Sequence, residues 1–401
     1  MSNKIAANAS GVFFLAFFIT AVFIPHPELP DAVKIFGIPL HYLLLGGFSV
    51  AAFTVSFASK PRLGLFDLTL AGLSAAFILS ILFGEGETQN AAKVLAGFIL
   101  KGVLPAATAA RLSGDFDERK ILRCLVFVAG GAAALSFPML LGYWSIMRLP
   151  LNYAPVGNPL PTAAFLLMFL PAAIDSTLFK SRTLRYIISI TATAAIFLSF
   201  SRGGWSAALL AVGVFAAFSP AITLKSKKRF FAVTAAALVS AVTVILLVAP
   251  DNLPVGKFRP SYVAESGSLT HRLGAYSSTA KIFSARPVFG VGFGNYRIYH
   301  EQYLSSGMDL RTDTPDNMYL RILCDTGLTG ALAFFAFTFY WMRKFWKNRQ
   351  DNTVLAIFCG LAGFLVNQLT ADLMLWQAPQ AAYWTLLGLG AGIIGTRGKN
   401  G

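Results

Sequence analysis

Residues 35–57 read IFGIPLHYLLLGGFSVAAFTVSF, an apolar run without Asp, Glu, Lys or Arg. About 20 such residues are enough for an α-helix to cross the hydrocarbon of a bilayer. Similar runs recur along the whole chain, which is 56% hydrophobic and only 13% charged. Backbone groups inside a bilayer must be paired within the protein, and these runs do not alternate as barrel strands do. The sequence therefore predicts an all-α, polytopic membrane protein.

The apolar runs predict about twelve transmembrane helices. They lie at residues 11–25, 35–57, 65–83, 91–110, 121–142, 160–178, 184–200, 204–219, 230–249, 317–341, 353–371 and 380–396. The first run is as short as a signal-peptide core, but no small-x-small cleavage site follows it, so we expect it to be retained. We expect helices 1–9 within residues 1–250, a loop over 251–316, and helices 10–12 with a short tail over 317–401.

The distribution of basic residues sets the expected orientation. With the N-terminus inside, most of the 33 Lys and Arg lie in cytoplasmic segments, whereas the short outer connections hold few. Both termini should therefore be cytoplasmic, and the long loop should lie on the opposite, periplasmic side. The cytoplasmic excess accounts for the net charge of +15. No basic run carries the interleaved aromatic residues of a nucleic-acid platform, so we expect no nucleic-acid partner.

The long loop between expected helices 9 and 10 carries helical patterns of its own. Unstructured loops of this length are uncommon and usually functional. One helix is predicted from residue 268 to about 285, and a second from 296 to about 304. Thr314-Pro315 resembles an N-cap followed by proline at the first helical position, which would begin the tenth span. We therefore expect a small helical subdomain on the outer membrane surface.

Three charged residues on the expected outer side are candidates for chemistry. Arg202 lies in a tight turn between two spans, where it either reaches lipid headgroups or binds a phosphate-bearing substrate. Arg272 lies in the first loop helix, and its planar guanidinium suits a diphosphate, although a solvated surface position is equally possible. Asp316 begins the tenth span, where the helix dipole alone would favour a carboxylate.

Three other features are less specific. The glycines within residues 290–294 lack the preceding strand and βαβ setting of a nucleotide-binding loop, so a close backbone turn is the better interpretation. Lys101 lies within the fourth expected span, where an ammonium requires a partner that the sequence does not name. The three cysteines show no disulfide or metal-ligand spacing, so we expect neither a disulfide framework nor a zinc site.

In order and spacing, these features resemble the O-antigen ligase and O-antigen polymerase superfamily of bacterial envelope enzymes. The likeness covers residues 150–396 and begins with the turn Ser201-Arg202-Gly203. It continues with the helix that carries Arg272, followed by RPVFGVGFGNY at residues 286–296. At the next span the family has His-Asn, nine residues and Gly-x-x-Gly. Here Asn317 and the glycines of GLTG at 327–330 are in place, whereas Asp316 replaces the histidine.

The resemblance implies a GT-C-like glycosyltransferase of the bacterial inner membrane with a periplasmic active site. Arg202 and Arg272 would hold the diphosphate of an undecaprenyl-diphosphate-linked glycan. Asp316 would assist the acceptor hydroxyl in an inverting, metal-independent transfer without a cofactor, with His271 as a second candidate base. The residues expected to bind substrate are His271, Tyr276, Asn317, Arg286 and Arg321. The alternative role for Arg321 is only to hold its turn in place.

Three alternatives remain open at this point. The acceptor is either a lipid A-core sugar, as for a ligase, or a growing glycan, as for a polymerase of O-antigen, capsule or exopolysaccharide. A lipid-linked oligosaccharide transporter would show two similar halves, and the sequence has no such repeat. A non-catalytic envelope scaffold is also possible, because Asp316 stands where the family has histidine.

Overall fold

The computed structural model describes residues 2–23, 34–35, 38–60, 63–143, 158–228, 232, 268–303 and 314–397. Over these residues the chain is helical except for turns and one short antiparallel strand pair, β1 (Lys34–Ile35) with β2 (Ile38–Pro39). The predicted all-α class is therefore confirmed. The ninth expected span, 230–249, lies outside the described residues apart from residue 232.

The helices follow the apolar runs closely. They are α1 (Ser2–Phe23), α2 (Leu40–Ser59), α3 (Leu65–Phe83), α4 (Thr88–Phe98), α5 (Leu104–Leu112), α6 (Glu118–Tyr143), α7 (Pro159–Ile174), α8 (Arg182–Leu198), α9 (Arg202–Phe218), α10 (Ser268–Ala285), α11 (Tyr296–Tyr299), α12 (Met318–Lys347), α13 (Asn352–Asn367) and α14 (Gln377–Arg397). A π-helical turn, Ile99–Val103, joins α4 to α5 and contains Lys101. A 3-10 turn, His300–Tyr303, follows α11.

Six helical segments among the described residues are long and apolar enough to cross a membrane. They are Ile5–Phe23, Tyr42–Ser59, Leu65–Phe83, Thr88–Leu112, Glu118–Leu140 and Met318–Lys347. Helices α7, α9 and α13 are apolar but shorter, with 16, 17 and 16 residues. At 1.5 Å per residue they extend only about 24–26 Å. The structure thus indicates a membrane protein, and the count of about twelve spans stays a prediction.

The core of the bundle lies around α7, α13 and α14, whose side chains are almost all buried. Small residues allow these helices to approach closely. A Cβ added at Gly360 on α13 would overlap the Met168 carbonyl on α7, and one at Gly388 on α14 would overlap the Ala106 carbonyl on α5. Close approach of this kind is how helices pack where lipid is as apolar as the side chains. The end of α13 is therefore held firmly in the bundle.

Helix α12 is not the continuous span that the sequence predicts. Gly327 has φ 59° and ψ −162°, a conformation that glycine adopts readily, and the chain reverses there. Tyr319 and Phe335 stack with ring centroids 5.7 Å apart. A continuous α-helix would separate residues 319 and 335 by about 24 Å. Helix α12 therefore consists of a short arm, residues 318–326, folded against a long arm, residues 328–347.

The start of α12 also differs from the prediction. Thr314-Pro315 does not cap the helix, because α12 begins at Met318 with Asn317 as its N-cap. The Asn317 side-chain oxygen accepts hydrogen bonds from the backbone N–H groups of Tyr319 and Leu320, at 3.0 and 3.1 Å. Asparagine in extended backbone conformation satisfies the free N–H groups of a first turn, which explains why the helix begins there.

The predicted loop helices are present as α10 and as α11 with its 3-10 turn. The glycine-rich segment between them, residues 286–295, packs against α12. The N–H groups of Leu328 and Thr329 donate to the carbonyls of residues 287 and 288, at 2.8 and 3.1 Å, while Val291 donates to Cys324 at 3.0 Å. At the reversal, N–H groups of α12 that would bond within a continuous helix thus bond to carbonyls of the loop instead. Phe293 inserts into the bundle, stacked on Phe77 with ring centroids 4.5 Å apart.

Candidate active site

The chain between α13 and α14, residues 368–376, forms a connection segment on which the predicted site residues converge. Its carbonyls at positions 368, 369 and 370 accept hydrogen bonds, in that order, from the backbone N–H of Met318 at 3.1 Å, the Asn317 side-chain amide at 3.1 Å and the Arg272 guanidinium at 3.2 Å. The starts of α10 and α12 therefore meet at one place.

The start of α9 lies against the same segment. Ser201 caps this helix, and its hydroxyl accepts a hydrogen bond from the backbone N–H of residue 204 at 3.0 Å. A Cβ added at Gly203 would overlap the Thr370 hydroxyl, so this contact requires glycine. Arg202 is the first residue of α9 and is exposed. It thus lies in a turn that packs directly on Thr370, the residue whose carbonyl holds Arg272.

Arg272 and Asp316 form an ion pair at this junction. The Nε atom of Arg272 lies 3.5 Å from Oδ2 of Asp316, and the two side chains remain 31% and 36% exposed. Asp316 has φ 49°, in the left-handed region, and directly precedes the N-cap of α12. Ion pairs exposed to this extent contribute about 0–1 kcal/mol, so a stronger anion can displace the carboxylate.

A buried charge cluster supports the junction from below. Nη1 of Arg321 lies 3.0 Å from Oδ2 of Asp325, and its Nε is bonded to Asp372; all three side chains are at most 3% exposed. Asp325 also accepts hydrogen bonds from the backbone N–H groups of Tyr296 and Gly294, at 2.8 and 3.0 Å. The cluster therefore ties the short arm of α12 to both the connection segment and the glycine-rich segment. Its burial suits Arg321 to hold the site together.

Burial also acts on the protonation of this cluster at the connection segment. It raises the pKa of Asp372, while the charge of Arg321 and its hydrogen bond act in the opposite direction. One Asp372 oxygen, Oδ1, has no hydrogen-bond partner among the described residues. Arg321 is therefore the contact on which the charged form of Asp372 depends.

The other predicted substrate-binding residues are dispersed. Tyr276 lies one turn beyond Arg272 on the same face of α10 and is partly exposed. Arg286, after the far end of α10, pairs with Glu85 and lies about 20 Å from Arg272 along the helix axis. The structure does not bring Arg286 together with the arginines at the junction. The side chain of His271 lies outside the described residues.

Sequence reasoning missed the connection segment and both acidic partners of Arg321. Thr370 has no chemical feature that distinguishes it from other threonines. Asp372 carries a usable signal, because a carboxylate within the apolar stretch LTADLMLW, residues 369–376, is costly unless it is partnered. Asp325, four residues after Arg321, carries a second signal through the helical spacing of opposite charges.

Comparison with known protein families identifies the domain that contains most of this site. Residues 187–335 match the O-antigen ligase family. The predicted resemblance to the O-antigen ligase superfamily is confirmed over this region. The matched region includes Arg202, Arg272, Asp316 and the glycine-rich segment, and it ends before the connection segment. No curated protein matches the chain.

Proposed function

We propose that this protein is a membrane glycosyltransferase that moves a glycan from a lipid-linked diphosphate to an acceptor sugar hydroxyl. The observation that carries the proposal is the arrangement around Thr370: its carbonyl accepts from Arg272, Arg272 pairs with Asp316, and the turn that carries Arg202 packs on its side chain. Guanidinium groups donate paired, charge-assisted hydrogen bonds to phosphate oxygens. An adjacent carboxylate supplies a proton acceptor. This combination fits transfer from a diphosphate better than it fits passive transport.

In the proposed reaction, the diphosphate lies between Arg202 and Arg272. The acceptor hydroxyl attacks the anomeric carbon from the face opposite the diphosphate, gives its proton to Asp316 and inverts the configuration. The bond from the anomeric carbon to the diphosphate oxygen breaks, and the electron pair leaves with the diphosphate. The two guanidiniums stabilise the negative charge that grows there, which is the role a divalent metal would otherwise have.

The Arg272–Asp316 ion pair implies that the donor binds before the acceptor reacts. Without donor, Arg272 is paired with Asp316, so neither side chain is free to act on substrate. A diphosphate carries more negative charge than Asp316 and accepts hydrogen bonds from both arginines. Donor binding therefore frees Asp316 when a proton acceptor is needed, and the donor binds before the acceptor reacts.

The distribution of basic residues supports a periplasmic site in the inner membrane with both termini cytoplasmic. The resemblance to the O-antigen ligase superfamily implies undecaprenyl diphosphate as the carrier of the donor glycan. Two acceptors are compatible with the site. A lipid A-core sugar would make the protein a ligase. A growing glycan would make it a polymerase. The replacement of the family histidine by Asp316 is a reason to retain this alternative.

The test is complementation of the parent strain that lacks this gene, with wild type, Arg272→Ala and Asp316→Ala compared at equal membrane abundance. Surface glycan is resolved by size, and lipid-linked intermediates are followed in parallel. We expect both variants to accumulate lipid-linked glycan: long chains identify a ligase and single repeat units a polymerase. Wild-type glycan in both variants would refute this active site in favour of a scaffold or transporter.

Arg182→Ala is the matched control for variants of the arginines. Arg182 is the first residue of α8 and follows the N-cap Ser181, as Arg202 is the first residue of α9 and follows Ser201. Its guanidinium contacts only Tyr186 among the described residues, away from the junction. Loss of an exposed arginine at a helix start is thus reproduced without any change at the proposed site.

A further inference from the structure

Lys101 lies near the middle of a membrane span, and the proposed reaction does not use it. Helix α4, the π-helical turn and α5 form one apolar segment, Thr88–Leu112, that is long enough to cross a bilayer. At 1.5 Å per residue, Lys101 is about 20 Å from Thr88 and about 16 Å from Leu112. A lysine side chain is much shorter than either distance, so its ammonium cannot reach the headgroups by snorkelling.

Contacts near its two ends place this segment across the bundle. At the end expected to be periplasmic, the Asn90 side chain donates a hydrogen bond to the Gly294 carbonyl of the glycine-rich segment at 3.0 Å. Near the other end, Arg111 pairs with Asp67, at the start of α3, at 2.8 Å. Lys101 lies between these contacts, at a depth where an ammonium is costly unless it is paired.

The π-helical turn fixes where the Lys101 side chain lies. The Ser49 hydroxyl of α2 donates to the Leu100 carbonyl at 2.7 Å and so holds the turn against its neighbour. A Cβ added at Gly97 would be 3.6 Å from Nζ of Lys101, so the ammonium lies over the bare backbone of Gly97. Single π-helical turns within α-helices occur frequently at functional sites. The turn therefore directs Lys101 along the Gly97 face of α4.

The carboxylates in the apolar stretches of this chain are all bound elsewhere. They are Asp67, Asp175, Asp325 and Asp372. Arg111 pairs with the first, Asn352 hydrogen-bonds to the second, and Arg321 pairs with the other two. Lys101 has no hydrogen bond or ion pair in the part of the chain that the structure describes. Its counter-charge must therefore come from outside the chain.

The face of α4 that holds Lys101 consists of small residues and is uncovered. Ala92 and Ala96 are exposed and Gly97 is partly exposed, whereas Phe98, on another side of the helix, is buried in the bundle. Small residues let a second helix approach closely, which is how helices associate in a bilayer. Such a face alone specifies no ligand, but the unpaired ammonium at its inner end specifies a negative charge.

We infer that this α4 face, formed by Ala92, Ala96, Gly97 and Lys101, packs against a transmembrane helix of a different protein that carries an Asp or Glu opposite Lys101. A second copy of this chain does not fit, because the same face would present a second ammonium and the carboxylates of its apolar stretches are already bound. A carboxylate at this depth is also costly in the free partner. Association therefore removes an unpaired charge from both proteins.

Photo-crosslinking in the living parent strain identifies the partner. A benzophenone amino acid replaces Ala96 on the α4 face or, as a matched control, Leu79, which is 39% exposed on α3. After irradiation, the full-length protein is purified from membranes and its adducts are identified by mass spectrometry. We expect position 96, and not position 79, to capture one membrane protein whose apolar helix carries Asp or Glu near its middle.

Substitutions at Lys101 test the ion pair itself. Lys101→Leu and Lys101→Glu should each reduce the adduct at position 96 about tenfold or more, equivalent to ~1.4 kcal/mol of binding. Lys101→Glu should recover it when the carboxylate of the partner is replaced by lysine. Lys93→Leu is the matched control, because it removes an exposed lysine of the same helix about 12 Å closer to the periplasmic end, and it should leave the adduct unchanged.

Three results would overturn the inference. They are a lipid adduct alone at position 96, an adduct there with a second copy of this chain, and a protein adduct that Lys101→Glu leaves intact.

Thermal unfolding of the purified protein in detergent separates loss of the partner from loss of the fold. Lys101→Leu removes an unpaired charge from the isolated chain, so we expect it to unfold about 2 °C or more above wild type. Lys93→Leu should unfold with wild type. A clearly lower unfolding temperature in Lys101→Leu would show that Lys101 has its partner within this chain, against the inference.

Discussion

Arg321→Met should disrupt the site although Arg321 is buried and Arg202, Arg272 and Asp316 stay unchanged. Methionine has a similar length but no charge, so it fills most of the space of the arginine. The substitution leaves the carboxylates of Asp325 and Asp372 buried without a counter-charge, because both side chains are 0% exposed. Breaking a buried ion pair from one side typically costs about 3–5 kcal/mol.

The two carboxylates should not share this loss equally. Asp325 keeps hydrogen bonds from the backbone N–H groups of residues 294 and 296. Asp372 keeps no partner among the described residues, because its Oδ1 is already unpaired and its Oδ2 is bonded to Arg321. Most of the loss should therefore fall on Asp372, so Asp372→Asn in the Arg321→Met background should recover about 1–3 kcal/mol by removing the uncompensated charge.

The assay is thermal unfolding of the purified protein in one detergent, with glycan transfer measured on the same preparations. We expect Arg321→Met to unfold at a clearly lower temperature and to lose transfer, and the double variant to regain stability. The double variant should regain little transfer, because the connection segment stays untied from α12. Wild-type unfolding and transfer in Arg321→Met, or a double variant less stable than the single one, would refute this account of the cluster.

Three further predictions concern single positions. Arg202→Ala should reduce glycan transfer by about a hundredfold or more, as loss of a donor to developing charge does, with unchanged membrane abundance and with wild-type transfer in Arg182→Ala. Gly327→Ala should lower the unfolding temperature through a cost of roughly 1–3 kcal/mol, because φ is 59° and the new Cβ would overlap the Val288 carbonyl; Gly72→Ala, with no atom within 4 Å of the new Cβ, should not. Asp316→His should keep transfer activity and Asp316→Asn should lose it, and equal activity in all three proteins would exclude a proton-accepting role.

Most of the helices could be predicted because their signal is local. An apolar run without charges is helical in lipid whatever surrounds it, so α3 coincides with the run at 65–83. The limits of α10, residues 268–285, were also within reach, since proline follows at position 287. The reversal at Gly327 could not be predicted, because GLTG within an apolar run is compatible with a continuing helix. The hydrogen bonds of Leu328 and Thr329 to residues 287 and 288, which accompany the reversal, depend on the tertiary fold.

The candidate site could likewise be predicted from the sequence only in part. Arg202, Arg272 and Asp316 could be selected because charged residues at the ends of apolar helices are conspicuous, and the family pattern places them in order. Their shared support, Thr370, could not be selected. Its role comes from a backbone carbonyl and from an overlap with Gly203, and neither leaves a trace in the type of residue at position 370.

The reversal in α12 is structurally related to the short length of the neighbouring helices α9 and α13. At the end of the bundle opposite the junction, α7, α9 and α13 are held level by hydrogen bonds of Asn352 with Ser219 at 2.9 Å and with Asp175 at 3.1 Å. Phe218 and Trp346, with ring centroids 4.9 Å apart, place α12 at the same level. From there α9 and α13 extend about 24–26 Å, whereas the long arm of α12 extends about 30 Å.

The ends of α9 and α13 therefore stop short of Gly327. The short arm of α12 returns the chain to their level, where the N–H of Met318 meets the carbonyl of Gln368. A straight α12 would carry Asp316 away from Arg272 and from the connection segment. With the reversal, Asp316 lies beside Arg272 at the connection segment, on which the start of α9 with Arg202 also packs.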